Sequence, residues 1–391
     1  MLMKTAYIHI GTEKTGSTSI QQLLANNRNT LSELGYHVAN IQYDDNHLDF
    51  VAYCIDRFPN DQQQALLSLV NINDPIQHLR WKEAFKLKAE QQLSNTRQIK
   101  NLVITSEHFH SRIKNVSEVN RLQQLLLPHY NKFKVILYLR RQDQLAASLF
   151  NEALKYGGTC RNPLQASHKP SSPYFDYLNL VEMWAYVFGK ENLSIRLFEK
   201  SQFFEKSLYK DFLRELDISD TKNIDEPPKA NIALNGYQQH LLLFFNEITQ
   251  RHGTNGQLHK ELREKIASSN TLKNKTEGFQ ACKSEHTQFL DYFTEMNRAL
   301  EKKWLKGNFF SSSIDSADTL RTRIANTPSR ENLEDALTRE ILAYLDIKEQ
   351  SYSNTPQLAN SKLVNDVFDV TSLFNNKNSA LIRSKIEKIH P

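Results

Sequence analysis

The chain has 391 residues, 39% of them hydrophobic and 10% aromatic, ample for one large α/β domain or two smaller ones. Lysine and arginine (49) exceed the acids (44) by a formal net charge of +5, too mild to demand nucleic acid as a partner but suited to a cleft for an anionic cofactor. Cys54, Cys160 and Cys282 are scattered, odd in number and without metal spacing, as expected of free thiols in a reducing compartment; no run approaches the roughly 18 apolar residues of a transmembrane helix, and the first ten residues lack a signal-peptide pattern.

In chain order, the apolar run Ala6 to Ile10 reads as a buried strand and Gly11 to Gly16 as a tight loop. Ser17 or Thr18 is expected to cap a helix whose apolar positions are Ile20, Leu23, Leu24 and Leu31. Gly35 to Ala39 reads as a second strand. Residues 47 to 97 look helical, in segments around Leu48 to Ile55, Gln62 to Val70 and Gln77 to Leu93. Strands are expected at Leu102 to Thr105, Lys134 to Leu139 and Leu193 to Phe198. Helices are expected at Val116 to Leu127, Asp143 to Tyr156 (ended by Gly157-Gly158), Tyr174 to Phe188 and Lys206 to Leu216, with residues 157 to 173 as a loop. Strands alternating with helices predict an α/β fold, a parallel sheet flanked by helices.

From Leu234 the pattern is helical alone. Leu234, Tyr237, Leu241, Phe244, Phe245 and Ile248 keep helical spacing, as do Phe289, Phe293, Met296, Leu300 and Trp304; a third helix runs from about Asn332 to Leu345. The expected organisation is an α/β core over 1–217 with a helical insertion at about 47–97, a C-terminal helical extension over 218–350 packed on that core, and a tail over 351–391. The tail carries weak amphipathic segments at Leu363 to Phe374 and Leu381 to Ile389.

Strand, Gly-bounded loop and helix N-terminus make an anion cradle. Backbone N–H groups and the helix dipole point at one spot, and Lys14 adds a full positive charge. The loop is not a Walker A motif, which requires lysine directly after the second glycine; here Ser17 follows Gly16 and the lysine lies inside the loop. Lys14-Thr15-Gly16-Ser17-Thr18 resembles the 5′-phosphosulfate-binding loop of sulfotransferases that use 3′-phosphoadenosine 5′-phosphosulfate (PAPS). Arg140 at a strand end, with Ser148 on the next helix, resembles the 3′-phosphate-binding element of the same family; Arg141 is the neighbour to which that assignment would slip.

The resemblance covers residues 4 to about 217 and implies a P-loop-like sheet. It assigns Thr12, Lys14, Thr15, Gly16, Ser17, Thr18, Arg140 and Ser148 to the cofactor, with adenosine 3′,5′-bisphosphate as product and no metal. No Arg-x-Gly-x-x-Gly segment is present, which points away from the phenol and steroid type and towards the bacterial, carbohydrate type. Pro227-Pro228-Lys229-Ala230-Asn231 lies where a cofactor-covering loop would be. The expected acceptor is a sugar hydroxyl on a glycan or glycolipid. The expected location is cytoplasmic, or peripheral to the inner membrane, since Golgi members generally carry an anchor. Oligomeric state is not written in the sequence.

Sulfuryl transfer needs positioning, charge stabilisation and a base. Lys14 would stabilise the growing negative charge. Glu107 is the first choice of base, being the first acid after its strand; His108 is second and His110 third. Asp44, Asp45 and His47 form another polar group, read as a solvated loop. The competing readings are a P-loop nucleotide kinase or NTPase, which Ser17 disfavours, and a non-catalytic module binding an anionic nucleotide or glycan, which would need no Glu107.

Overall fold

A computed structural model describes residues 3–42, 46–56, 58, 62–95, 100–165, 169–228, 233–251, 256–269, 272, 278–279, 281, 283–305, 310, 328–353 and 376–389. The chain divides into two compact units that interleave along the sequence. The first takes residues 1–142, 170–231 and 292–312; the second takes 143–169, 232–291 and 313–391.

The first unit is built on five parallel strands: β1 (Thr5–His9), β2 (Tyr36–Val38), β3 (Asn101–Thr105), β4 (Lys132–Leu139) and β5 (Leu193–Leu197). Their order is β2-β3-β1-β4-β5. The fold is therefore α/β with a parallel sheet, and β1 lies between β3 and β4. The central strands β1 and β3 are short and almost wholly buried, as parallel strands must be when helices cover both faces, whereas the edge strand β5 is buried only at Leu197.

One face carries Tyr7, Val103, Ile136 and Tyr138 against α1 (Ser17–Asn26) and α10 (Leu208–Glu215), which contribute Ile20, Leu23, Leu24, Phe212 and Leu213. α10 is anchored by a buried carboxylate. Asp211 takes a two-pronged bond from Arg196 (2.6 and 3.1 Å) and the Tyr138 hydroxyl (2.9 Å). The other face is covered by α9 (Tyr177–Phe188), where Phe188 meets Phe133 of β4 and stacks on Trp184. The insertion is helical as expected: α3 (Leu48–Cys54), α4 (Gln62–Leu69) and α5 (Pro75–Asn95). There Phe85 of α5 packs on Phe50 and Tyr53 of α3.

Three short or capped elements depart from the expectation. α1 is preceded by Gly16 in a left-handed conformation with no side-chain cap, so Ser17 is its first helical residue rather than its cap. α2 (Arg28–Glu33) and α6 (His108–Arg112) are too short to show a period in sequence. α7 (Val116–Leu126) runs as expected.

The second unit gathers α8 (Gln142–Lys155, from Asp143 on), α11 (Gly236–Arg251), α12 (Gln257–Ser268), α13 (Lys283–Asp291), α15 (Arg330–Ser353) and α16 (Asn376–Ile389). Its core joins Phe150 and Leu154 to Leu241, Phe245, Leu262, Leu337 and Ile382. α8 ends as its glycines predict: Gly158 N–H returns to the Ala153 carbonyl (2.7 Å), and Gly157 has φ +97°. The single helix expected from Phe289 to Trp304 is broken. α13 stops at Asp291, and α14 (Thr294–Leu300) restarts in the first unit, followed by a π-helical turn over Glu301–Leu305. Phe293 leaves helical geometry there and packs on Phe175. Leu363 to Phe374 lie outside the described residues, whereas Leu381 to Ile389 are helical. Cys54 and Cys160 are free thiols; Cys282 lies outside the described residues.

His9, on β1, is buried among Tyr138 and Phe212 with Nδ1 2.8 Å from the Thr105 hydroxyl. Burial pushes its imidazole down to about 3. The unfolded chain takes up this proton near its ordinary 6.5 and the folded chain only near 3. His9 therefore contributes stability in full above about 6.5, and that contribution falls away as the pH drops towards 3. Thermal unfolding between pH 7 and 4 should show a steep acid slope that His9→Gln makes shallower by about one proton.

Candidate functional site

Ligands of open parallel sheets bind beyond the carboxyl ends of the strands, near the point where strand order reverses. Here that point is the end of β1. The loop from Gly11 to Gly16 leaves it, the segment from Ser106 leaves β3 on one side, and Arg140 leaves β4 on the other.

The loop is stitched to β4 by main-chain bonds at Tyr138. Tyr138 N–H donates to Gly11 O (2.7 Å), while the amide and hydroxyl of Thr12 both donate to Tyr138 O (2.9 and 3.0 Å). Thr15 donates its hydroxyl to Thr12 O at 2.6 Å. Thr12 and Thr15 are both buried, so their hydroxyls shape the loop and are not aimed outward at a ligand. Gly11 has φ +96°, and a Cβ there would stand 3.1 Å from Glu107 Cα; the loop thus lies directly against the residue that follows Ser106. The first bond of α1 runs from Ile20 N–H to Gly16 O (3.0 Å). The N–H groups of Ser17, Thr18 and Ser19 precede it and are presented at the helix start. Ser17 is buried and Thr18 exposed.

Lys14 is half-buried with φ +62°. Arg140 donates from Nη1 to Lys14 O (3.0 Å), lies over the Phe198 ring at 5.7 Å and has its own carbonyl held by the Tyr177 hydroxyl (2.7 Å). Arg140 thus reaches the loop through its guanidinium. Ser148 lies half-buried in the middle of α8, in the second unit, and its pairing with Arg140 stays an expectation of the sequence.

On the β3 side, Glu107 is half-buried and accepts from Gln21 Nε2 of α1 at 2.6 Å. His108 opens α6 with Nδ1 3.9 Å from Glu13 Oε1. His110 is buried, with Nδ1 accepting from the Glu13 amide (3.3 Å) and Nε2 2.9 Å from the Tyr174 carbonyl. Both of its nitrogens are thus engaged by main chain. Tyr174 donates its hydroxyl to Glu13 Oε2 (2.7 Å), and Arg112 Nη1 lies 3.7 Å from Oε1. Burial pushes the Glu13 carboxyl up, while the Tyr174 hydroxyl bond and the nearby Arg112 charge favour its ionised form. Glu13, Gln21, Arg112 and Tyr174 were not singled out in sequence. Gln21 alone carried a signal, four residues after Ser17 on the same helix face.

His47 is corrected. It is fully buried, not solvated, and its ring links two strand ends: Nδ1 accepts from the Thr105 amide of β3 (3.1 Å), and Nε2 faces Ala39 O after β2 (2.8 Å). Asp44 and Asp45 lie outside the described residues, as do Lys229 to Asn231 of the expected covering loop. Just before that loop, Asp225 is tied to Asn27 after α1 by paired bonds of 2.8 and 2.9 Å. Among the described residues no metal-holding cluster of His, Cys, Asp or Glu occurs, and no helix is long and apolar enough to cross a membrane.

No family model matches the chain. It is 26% identical over 147 residues to an uncharacterized protein of Archaeoglobus fulgidus, the match taking in 37% of this chain and 38% of the relative's own length. It is also similar to a crystal structure of a sulfotransferase from Alicyclobacillus acidocaldarius. That similarity amounts to 15% identity over 57% of this chain and 85% of the other, at a TM-score of 0.32, too loose a superposition to bear on activity.

Gly16 has φ +77°, and a Cβ there would stand 2.5 Å from Leu208 Cδ2. Gly16→Ala should cost about 1–2 kcal/mol from the left-handed backbone alone, read as a lowered thermal midpoint. Adding Leu208→Ala relieves the contact but not that strain, so the double variant should not recover parental stability.

Proposed function

We propose that the chain transfers a sulfuryl group from 3′-phosphoadenosine 5′-phosphosulfate to an acceptor hydroxyl on a glycan or glycolipid. The observation that carries this reading is the Gly11 to Gly16 loop at the end of the central strand, with Lys14 on it and Arg140 bonded to it. The donor set fits a doubly anionic nucleotide. Helix N–H groups at Ser17 to Ser19, the Lys14 ammonium and the Arg140 guanidinium are all cationic or donor groups. Thr12 and Thr15 serve through the loop's shape.

When bound, the donor supplies an activated sulfuryl group. Lys14 and the helix start stabilise negative charge that grows at the loop during transfer. Arg140 reads the 3′-phosphate with its planar fork. Glu107, beside Gly11 and steadied by Gln21, takes the acceptor proton, with His108 the next candidate. Mass spectrometry of a glycan panel incubated with the donor tests the reading directly, and a mass gain of one sulfuryl group (SO3) on an acceptor is the expected result. Nucleotide titration separates the alternatives: a kinase or NTPase prefers ATP with magnesium, whereas this chain should bind adenosine 3′,5′-bisphosphate without metal. Binding without turnover on any acceptor would indicate a binding module.

Arg140→Ala should weaken adenosine 3′,5′-bisphosphate about ten- to a hundredfold, the worth of a charge-assisted phosphate contact of roughly 1.5–3 kcal/mol. Adenosine 5′-phosphate should lose much less. Calorimetry with both ligands checks it; equal losses would show that Arg140 does not read the 3′-phosphate.

Glu107→Gln should keep cofactor affinity and lose turnover by about 10²- to 10⁴-fold, since glutamine keeps the size but cannot accept the proton. Turnover measured at saturating cofactor, beside His108→Ala, decides between the two groups. Wild-type turnover in Glu107→Gln with a loss in His108→Ala would move the role to the histidine.

A further inference from the structure

Lys14 sits in the left-handed region, φ +62°, which a lysine adopts only when its surroundings hold it there. It is gripped on both sides. After it, Arg140 Nη1 bonds the Lys14 carbonyl (3.0 Å). Before it, the Glu13 amide donates to His110 Nδ1 (3.3 Å). An amide N–H only donates, so that nitrogen must carry the lone pair. His110 Nε2 faces the Tyr174 carbonyl at 2.9 Å, an oxygen that only accepts, so Nε2 must carry the proton. Tyr174 then closes the circuit by donating its hydroxyl to Glu13 Oε2 at 2.7 Å, with its ring centred 4.6 Å from that of His110. Glu13, His110 and Tyr174 come from the loop, from α6 and from the turn over Pro173–Phe175. They form a closed ring of hydrogen bonds on the residue that precedes Lys14.

We infer that His110 is a positioning residue for the transfer, holding the Lys14 backbone through the Glu13 amide, and is not the base. This rests on the sulfotransferase reading. A base must turn a lone pair to the acceptor proton, and the single lone pair of neutral His110 already receives the Glu13 amide. The ring instead fixes the direction in which Lys14 leaves the loop, and misplacing a charge-stabilising group by about 1 Å can cost around 10²-fold.

The test uses the full chain, the panel glycan with the highest turnover, and three variants. His110→Asn offers an oxygen near the Nδ1 position and should keep kcat within about threefold of the parent. His110→Phe keeps a ring but neither bond; kcat should fall roughly 10- to 100-fold, with KM for the donor changed less than threefold. Tyr174→Phe removes one hydroxyl from the circuit and should lower kcat by about three- to tenfold, a milder change that serves if His110→Phe does not fold. Nitrogen-15 NMR of histidine-labelled parent protein should show His110 protonated on Nε2 and bare on Nδ1. A His110→Asn protein as inactive as His110→Phe would make His110 the base and overturn the inference. So would a fully active His110→Phe, a loss confined to KM, or an Nδ1-protonated ring. Calorimetry of the parent with adenosine 3′,5′-bisphosphate separates the two levels: no binding defeats the sulfotransferase reading, while the NMR result still judges the hydrogen-bonded ring.

Discussion

The site depends on a main-chain clasp at Tyr138. Its amide holds Gly11, and its carbonyl takes both the amide and the hydroxyl of Thr12. A loop that leaves the central strand would otherwise be free to choose among many conformations, and ordering each residue costs on the order of 1–2 kcal/mol. The clasp lets the neighbouring strand supply the order. The side chain of the same residue works away from the loop. The Tyr138 hydroxyl bonds Asp211, which in turn holds Arg196 and the Phe204 amide. Loop geometry and the seating of α10 therefore share one residue of β4. Leu208 of α10 closes the space above Gly16, so the two ends of this arrangement meet again at the loop's second glycine.

A second constraint is electrostatic. A carboxylate in the middle of an anion-binding loop opposes its purpose, yet Glu13 stands beside Lys14. The structure turns that charge inward. Tyr174 and Arg112 receive the carboxylate, His110 lies beside it, and the group stays ionised within this enclosure. The outward side of the loop is left to Lys14 and the start of α1. Glu13 thus acts as a tether between the loop and α6, and its charge is answered locally instead of facing the ligand.

Much of this was legible in the chain itself. The Gly11 to Gly16 spacing between an apolar run and an amphipathic helix marked the loop, because φ-permissive glycines and a helix start leave a local signature. The strand ends carrying Lys14, Glu107 and Arg140 do lie side by side, as alternation of strands and helices implies for a parallel sheet. Other features left no such trace. α6 is barely more than a turn, too short for periodicity. The role of Tyr174 depends on where an aperiodic stretch returns to the sheet, which no local pattern encodes. His47 looked like part of a solvated polar run, but its neighbours in space are the Ala39 carbonyl just after β2 and the Thr105 main chain of β3, and only tertiary pairing reveals that. At Phe293 the apolar spacing continues in sequence while the helix breaks, and the ring there meets Phe175, a tertiary contact that local spacing does not encode.

The interleaving of the two units has a consequence for biosynthesis. The chain passes between them after residues 142, 169, 231, 291 and 312. The sheet's last strand ends at Leu197, yet the first unit still waits for α14. Asn297 on that helix exchanges two hydrogen bonds with the fully buried amide of Gln142 (2.8 and 3.3 Å). Phe293 covers Phe175, beside the tyrosine that closes the ring on Glu13. At a translation rate of about 5–20 residues per second, the nascent sheet spends several seconds with Gln142 and Phe175 uncovered before their partners leave the ribosome. A chain stopped near residue 217 would hold all five strands and the whole loop, and would still lack the segment that seals them.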